Sequence, residues 1–369
     1  MIKLLQYILI LLFLSIFSFI AQASENISQK DVQEQIEKWR FITYMEIETK
    51  PFIYNNTVYI GVKDGRIIAI DNHGKLKWTY NTTGYIYSSP IVDKGILYIG
   101  SYDNNLYSLF ADTGKLKWKF PTKGPIHSTP IVKDNVVYVG SHDRNLYAIN
   151  IKDGSEKWRF SAKGIIFSSP IIDNDVLYVG SHDRNLYAIN IKDGSKKWEF
   201  STGDIVFSSP AIWKNMVYVG SQDFCVYAID KNTGYKKWVY RTDDYIFSSP
   251  VIYKGILYIG SVDHHIYALD TENGNLKWKY KTQSVIFSKP YIKDNLLYVG
   301  SMDRTLYVLT TTGELKWKYT TSNSIWSEVL IAKDKDKRNI MYLPLSDGLY
   351  AFDIDRVEKL LKQNKKWWK

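Results

Sequence analysis

The stretch Glu37-Lys38-Trp39-Arg40-Phe41 returns letter for letter as Glu156-Lys157-Trp158-Arg159-Phe160, and looser copies centre on Trp78, Trp118, Trp198, Trp238, Trp278 and Trp317. Every one of these tryptophans follows a lysine, and neighbours in the series stand 39 or 40 residues apart. A fixed interval of this size is the mark of a repeat architecture, in which each unit buries its apolar face against the next.

Working outward from Trp198, one unit reads Phe167-Ser-Ser-Pro170, Val176-Leu-Tyr-Val-Gly180, Asn185-Leu-Tyr-Ala-Ile-Asn190 and Lys197-Trp-Glu-Phe200. Short β-rich runs set apart by Asn, Asp, Gly and Ser clusters predict successive antiparallel strands joined by tight turns. Four strands per 40 residues is one blade of a propeller. Named A to D from the axis outward, the strands place each tryptophan on D. A small residue follows a bulky one on strand C, as in Tyr147-Ala148, Tyr187-Ala188, Tyr227-Ala228, Tyr267-Ala268 and Tyr350-Ala351. Blades pack face to face, so the small residue is expected to leave room for a ring from the neighbouring blade. Trp39, Trp78, Trp118, Trp158, Trp198, Trp238, Trp278 and Trp317 are therefore assigned to interblade slots. Gly114, Gly154, Gly234 and Gly274 stand where the C–D hairpins need positive φ.

The fullest copy, Ala228-Ile-Asp230-Lys-Asn-Thr233-Gly234-Tyr-Lys-Lys-Trp238, resembles the tryptophan-docking repeat of the quinoprotein-like (PQQ-repeat) propellers, and the resemblance covers residues 37 to 354. It implies an all-β fold. Strand B occurs eight times, but the last unit has no Gly turn and no tryptophan after Leu349-Tyr350-Ala351-Phe352. Glu37–Phe41 supplies that missing outer strand, so an eight-bladed propeller closed by its N-terminal strand is predicted, without open edges. Blade 8 departs from the pattern through the insertion Lys333–Arg338 and through Pro344.

Residues 1–23 read as a signal peptide: Lys3, an apolar run from Ile8 to Ile20, and the small-x-small Ala21-Gln22-Ala23. Residues 24–36 are expected to be a short helical lead-in capped by Ser28, and residues 355–369 a basic tail whose first part, from Arg356, is helical. Trp367-Trp368 and the lysines around them could touch a membrane surface. An exported protein, periplasmic or extracellular and monomeric, is expected. Its single cysteine, Cys225, excludes an intrachain disulfide. The net charge of +10 comes from lysines interspersed with aspartates, which argues for solvated faces and against nucleic-acid binding.

Function is sought where the repeats differ. Asp64, Asp103, Asp143, Asp183, Asp223, Asp263, Asp303 and Asp347 recur in every B–C turn and are read as turn acceptors. Blades 3 and 4 are identical from Tyr138 to Ser155 and from Tyr178 to Ser195, so His142, Arg144, His182 and Arg184 mark no specialised site. No metal is expected, because histidines spread round a ring do not converge on one ion. The inner strand is more discriminating. At the position before its proline stand Ser89, Thr129, Ser169, Ser209 and Ser249 in blades 2 to 6, but Lys289 and Lys50 in blades 7 and 1, and Glu328 at the same place in blade 8, where Val329 follows. Two residues earlier come Tyr87, His127, Phe167, Phe207, Phe247, Phe287 and Trp326, with Glu48 in blade 1. Lys50, Lys289, Glu328, Trp326, Phe167, Phe207, Phe247 and Phe287 are the candidate partner-binding residues: an aromatic channel mouth with one charged sector.

The quinoprotein resemblance implies, as one alternative, a dehydrogenase using PQQ with calcium. The catalytic members share an adjacent cysteine pair that this chain lacks, and none of their catalytic residues can be placed here. In length and simplicity the chain is similar to the propeller subunit of the outer-membrane β-barrel assembly machinery, which is a non-enzymatic, protein-binding scaffold; that subunit's lipobox cysteine is missing here. The expectation is a non-catalytic scaffold that binds a protein or peptide in the cell envelope through its axial face, with no cofactor.

Overall fold

The computed structural model describes residues 36–363. The signal peptide, nearly all of the helical lead-in and the Trp367-Trp368 pair lie outside the described residues.

Blade 1 consists of β2 (Phe52–Tyr54), β3 (Thr57–Gly61), β4 (Arg66–Asp71) and β5 (Leu76–Asn81), hydrogen-bonded in that order as an antiparallel sheet. Strands β6 to β29 repeat the arrangement six times between Ile91 and Thr320. The eighth blade is built differently: β30 (Leu330–Lys333), β31 (Asn339–Pro344) and β32 (Gly348–Asp353) are completed by β1 (Glu37–Ile42) in the order β1-β32-β31-β30. Trp39 pairs with Ala351 and Phe41 with Leu349. The chain ends are thus joined by a strand ladder, as the tryptophan count predicts. Lys38 adds an ion pair to buried Asp334 in the blade 8 insertion, whose carboxyl is held down to about 2; burial opposes this, but hydrogen bonds from Lys38 and Arg338 outweigh it.

The tryptophans sit between blades, and a glycine of the next blade adds to the room that the small strand-C residue leaves. Ala148 stands opposite Trp158 within one sheet and shares a buried cluster with Leu177, Val179 and Tyr187 of the next blade. Further room comes from Gly194 of the next C–D turn, where a Cβ would lie 2.7 Å from Trp158 Cε3. Gly194 also has φ +75°, a conformation glycine adopts without strain. The same contact joins Trp39 to Gly74, Trp78 to Gly114, Trp118 to Gly154, Trp198 to Gly234, Trp238 to Gly274 and Trp278 to Gly313. In addition, one carbonyl of the next blade accepts from two rings at once. Trp78 Nε1 and Tyr59 Oη donate to Ala111 O at 2.8 and 3.1 Å, and Trp238 Nε1 and Tyr218 Oη to Thr271 O at 3.0 and 2.9 Å. Burying a polar carbonyl costs little when it is fully paired.

Trp317 has no glycine turn ahead of it. It shares a buried cluster with Ile354 and Val357 of α1 (Ile354–Gln363), the helix that replaces a repeat-encoded outer strand at the end of the propeller. Pro344 takes the position of the glycine that ends strand B elsewhere. Gly61 N–H donates to Thr49 Oγ1 and Gly100 N–H to Ser88 Oγ at 3.1 and 3.0 Å. Proline has no such donor, and the equivalent Ser327 Oγ is buried without a partner. Among the described residues no helix is long and apolar enough to cross a membrane.

Candidate functional site: the axial mouth

Each D–A loop descends towards the axis and delivers one residue to the channel wall before its inner strand begins. The backbone there is held by a girdle running from blade to blade. The amide of Lys50 donates to Ser89 Oγ at 2.9 Å, Ser89 to Thr129 Oγ1 at 3.3 Å and Thr129 to Ser169 Oγ at 2.9 Å. Ser169 donates to Ser209 Oγ at 3.0 Å and Ser209 to Ser249 Oγ at 2.8 Å. The series ends at Ser249 because blade 7 carries Lys289 instead of a hydroxyl.

Two residues before the girdle, the aromatic side chains form an arc round the axis. Ring centroids are 5.5 Å apart for Tyr87 and His127, 3.5 Å for His127 and Phe167, and 4.1 Å for Phe167 and Phe207. The arc continues at 5.2 Å to Phe247, 5.4 Å to Phe287 and 5.1 Å to Trp326, whose plane lies 7° from that of Phe287. Glu48 of blade 1 interrupts it. The arc lines a cavity of about 530 Å³ that also takes in Glu48, Ser249 and Lys289. A second volume, about 700 Å³, shares Glu48, Lys289 and Trp326 and runs along the inner strands past Lys50 and Glu328. All eight candidate residues therefore lie on the walls of these volumes. The rim is apolar as well: Tyr85, Tyr245 and Trp326 are exposed and pack against Tyr87, Phe247 and Phe287 of the arc.

The three charged positions are not equivalent. Lys50 Nζ meets Glu328 at 2.7 Å across the closure seam. Lys289 forms no ion pair among the described residues. Lys63 serves two carboxylates, Glu46 and Glu48, the latter at 3.0 Å. Its hydrogen bond to Glu46 is the main reason that its ammonium titrates above the ordinary range, while burial pushes the Glu48 carboxyl up.

Lys63 and Tyr102 enter the site from the position just before the B–C aspartate, as do His142 and His182. That position varies from blade to blade and so carries a signal that the inner-strand comparison passes over. Tyr102 lies 4.7 Å from Tyr87, while His142 and His182 stack on Phe167 at 5.5 and 5.7 Å. The two histidines thus stand beside the arc, and their Nε2 atoms are buried without partners. His127 is held down to about 3, first by burial and then by His142 and His182. An unfolded histidine titrates near 6.5, so between these values the unfolded chain binds a proton that the folded protein refuses. The His127 contribution is full above pH 6.5 and shrinks as pH falls below it. Replacing His127 with Phe, the residue of blades 4 to 7, is expected to reduce the acid destabilisation by about 1 kcal/mol at about pH 5, discounted for the edge the ring keeps in the cavity. Melting curves at neutral and acid pH check this; parallel losses in variant and wild type would show that His127 is not the group refusing the proton.

The ring of aspartates is occupied by turn chemistry. Tyr107, Tyr147, Tyr187, Tyr227, Tyr267 and Tyr307 donate to Asp103, Asp143, Asp183, Asp223, Asp263 and Asp303 at 2.6 to 2.8 Å. Loop amides such as that of Lys123, 2.8 Å from Asp143, take the same carboxylates. Among the described residues no three His, Cys, Asp or Glu side chains are grouped so that they could hold a metal ion. The two carboxylates that reach the axial volumes, Glu48 and Glu328, are each tied to a lysine. This donor set does not fit the quinone with calcium implied by the alternative reading, because a hard dication needs several free oxygen ligands.

Among solved structures the chain is similar to BamB from Moraxella catarrhalis, with TM-score 0.74, 16% identity, and 86% of this chain and 98% of that one covered. It is similar to the computationally designed Ika8 protein, with TM-score 0.76, 16% identity and coverages of 86% and 99%. It also resembles a europium-containing methanol dehydrogenase, with TM-score 0.76, 13% identity and coverages of 87% and 86%. At these identities the likeness is one of fold. No curated protein matches the sequence. One family does: the propeller of beta-alanine-activating enzyme matches residues 92–254 and 173–365. These matches together span well over half of the chain, which belongs to the family of beta-propellers described from beta-alanine-activating enzyme.

Proposed function

We propose that this propeller is a non-catalytic scaffold of the cell envelope that binds a protein or peptide partner through its axial mouth. The observation that carries the reading is the arc of seven rings from Tyr87 to Trp326, which opens on a rim with exposed Tyr85 and Tyr245. Aromatic anchors in a concave site are the usual source of binding energy in interfaces, and a surrounding apolar rim keeps water from them. The fold shared with BamB is compatible with a scaffold, and the apolar run from Ile8 to Ile20 supports export. The reading requires neither quinone nor metal.

The test is recovery of partners from an envelope extract on wild-type protein and on a Tyr245→Ala, Trp326→Ala variant. Both side chains reach the rim, so melting should change little, whereas partner recovery should fall by about tenfold or more, as for the loss of interface anchors. Equal recovery of the same proteins by both would place the interface elsewhere.

A further inference from the structure

We infer that the axial cavity holds a carboxylate bearing an apolar or aryl group, with the charged end at Lys289 and the apolar end on Phe247, Phe287 and Trp326. The inference rests on the axial mouth being a binding site and names the chemistry of what enters it.

The first observation is the break in the girdle. In blades 2 to 6 the inner-strand residue before the proline is a hydroxyl that accepts the preceding blade's amide, ending with Ser209 N–H on Ser249 Oγ at 2.8 Å. Lys289 replaces that hydroxyl in blade 7. The Ser249 amide consequently makes no hydrogen bond among the described residues, and neither does that of Lys289, whose acceptor position in blade 8 is taken by Glu328; both Ser249 and Lys289 line the cavity. Two N–H donors and an ammonium stand where the other blades have a closed hydrogen bond.

The second observation is the pairing of charges. Glu328 takes Lys50 at 2.7 Å, and Glu46 and Glu48 share Lys63. Lys289 is left as a half-buried cation without an ion-pair partner among the described residues, in a cavity walled mainly by rings. A single cation suits a monoanion. Glu48 and Glu328 border the same volumes and would repel a second negative charge, so a carboxylate fits and a phosphate dianion does not. Planar amide and ammonium donors together suit a carboxylate's two oxygens.

The third observation is size and lining. A volume of about 530 Å³ lies within the usual range for a small-ligand site. Phe287 and Trp326, stacked at 5.1 Å beside Lys289's blade, offer faces for an aryl or branched alkyl group. The C-terminus of a polypeptide ending in an apolar residue carries these features, and so does a free arylalkyl acid.

The experiment titrates the whole protein with four probes: hydrocinnamate, hydrocinnamamide, and triglycyl-phenylalanine as free acid and as amide. Both acids, or one of them, should bind at least about tenfold more tightly than the matching amide, the loss of one charge-assisted contact. Lys289→Ser, which restores the hydroxyl of blades 2 to 6, should abolish the preference while melting stays level or rises. Lys289→Gln should abolish it too, without rebuilding the girdle. Tighter binding of the peptide acid than of hydrocinnamate would identify a polypeptide terminus; the reverse would identify a free acid. Equal affinities of acids and amides, preference retained in both Lys289 variants, or no binding of any probe would overturn the assignment. If Tyr245→Ala, Trp326→Ala still loses its partners in those cases, the axial scaffold reading survives and only the carboxylate site falls.

Discussion

A chain that begins at Thr43 is expected to lose its cooperative melting transition or to melt far below the intact protein. Removal of β1 deletes a strand paired from Glu37 to Ile42 with β32, takes Trp39 off Gly74 and strips Asp334 of Lys38. It also leaves β32 as an open edge in the one blade whose outer strand comes from the far end of the chain. The lost packing amounts to about 5 kcal/mol or more, comparable with the whole stability of an ordinary domain. Calorimetry of the truncated and intact chains decides the matter: a truncated protein that melts like the intact one would refute closure by β1.

Trp158→Ala is expected to cost about 3 kcal/mol and Gly194→Ala about 2 kcal/mol, for opposite reasons. The tryptophan change empties the slot between two blades and removes the donor to Ile191 O at 2.9 Å. The glycine change overfills it, placing a methyl group 2.7 Å from Trp158 Cε3 at a residue with φ +75°. The two should therefore be coupled. With the indole gone, the added methyl meets an empty slot, and Gly194→Ala should cost about 1 kcal/mol in the Trp158→Ala background, the residue of backbone strain alone. Denaturant titration of the four proteins in the cycle measures this. Strict additivity would mean that the indole does not dock on the glycine turn.

The blade count and the closing strand were legible in the sequence because the Lys-Trp pair recurs every 39 or 40 residues and a turn glycine marks every blade but the eighth, and an interval survives any detail of packing. The axial ring was legible for a related reason. Once repeats are aligned, the residue two before the inner hydroxyl must occupy one level of the channel, so Phe167 to Trp326 could be placed there together. Partnerships between levels could not be read. Lys50, Lys289 and Glu328 looked like one charged sector, yet only Lys50 and Glu328 meet, at 2.7 Å; which lysine reaches the carboxylate depends on side-chain trajectories across a seam. Glu46 and Lys63 were missed because they come from different loops of blade 1 and meet only in three dimensions. Ala148 lies in one cluster with the Tyr187 ring of the next blade, as alternation led one to expect, but the clearance for Trp158 is decided by Gly194, which alternation on strand C does not reveal.

Closure by β1 also orders events in time. Glu37 and Phe352 are partners in one sheet, so the strand made first waits for the strand made nearly last. At about 5–20 residues per second, synthesis of the intervening chain takes many seconds, and no ring can form before it ends. Blades 1 to 7 can each pair locally during that interval, because their four strands are consecutive, whereas the final loop closure spans almost the whole propeller and is the slow, entropically costly step. A ribosome that stops within blade 8 yields stacked sheets with two raw ends, a product that offers its edges to other chains. The ring thus acts as a check on completeness: a chain seals itself only after its last blade has been made.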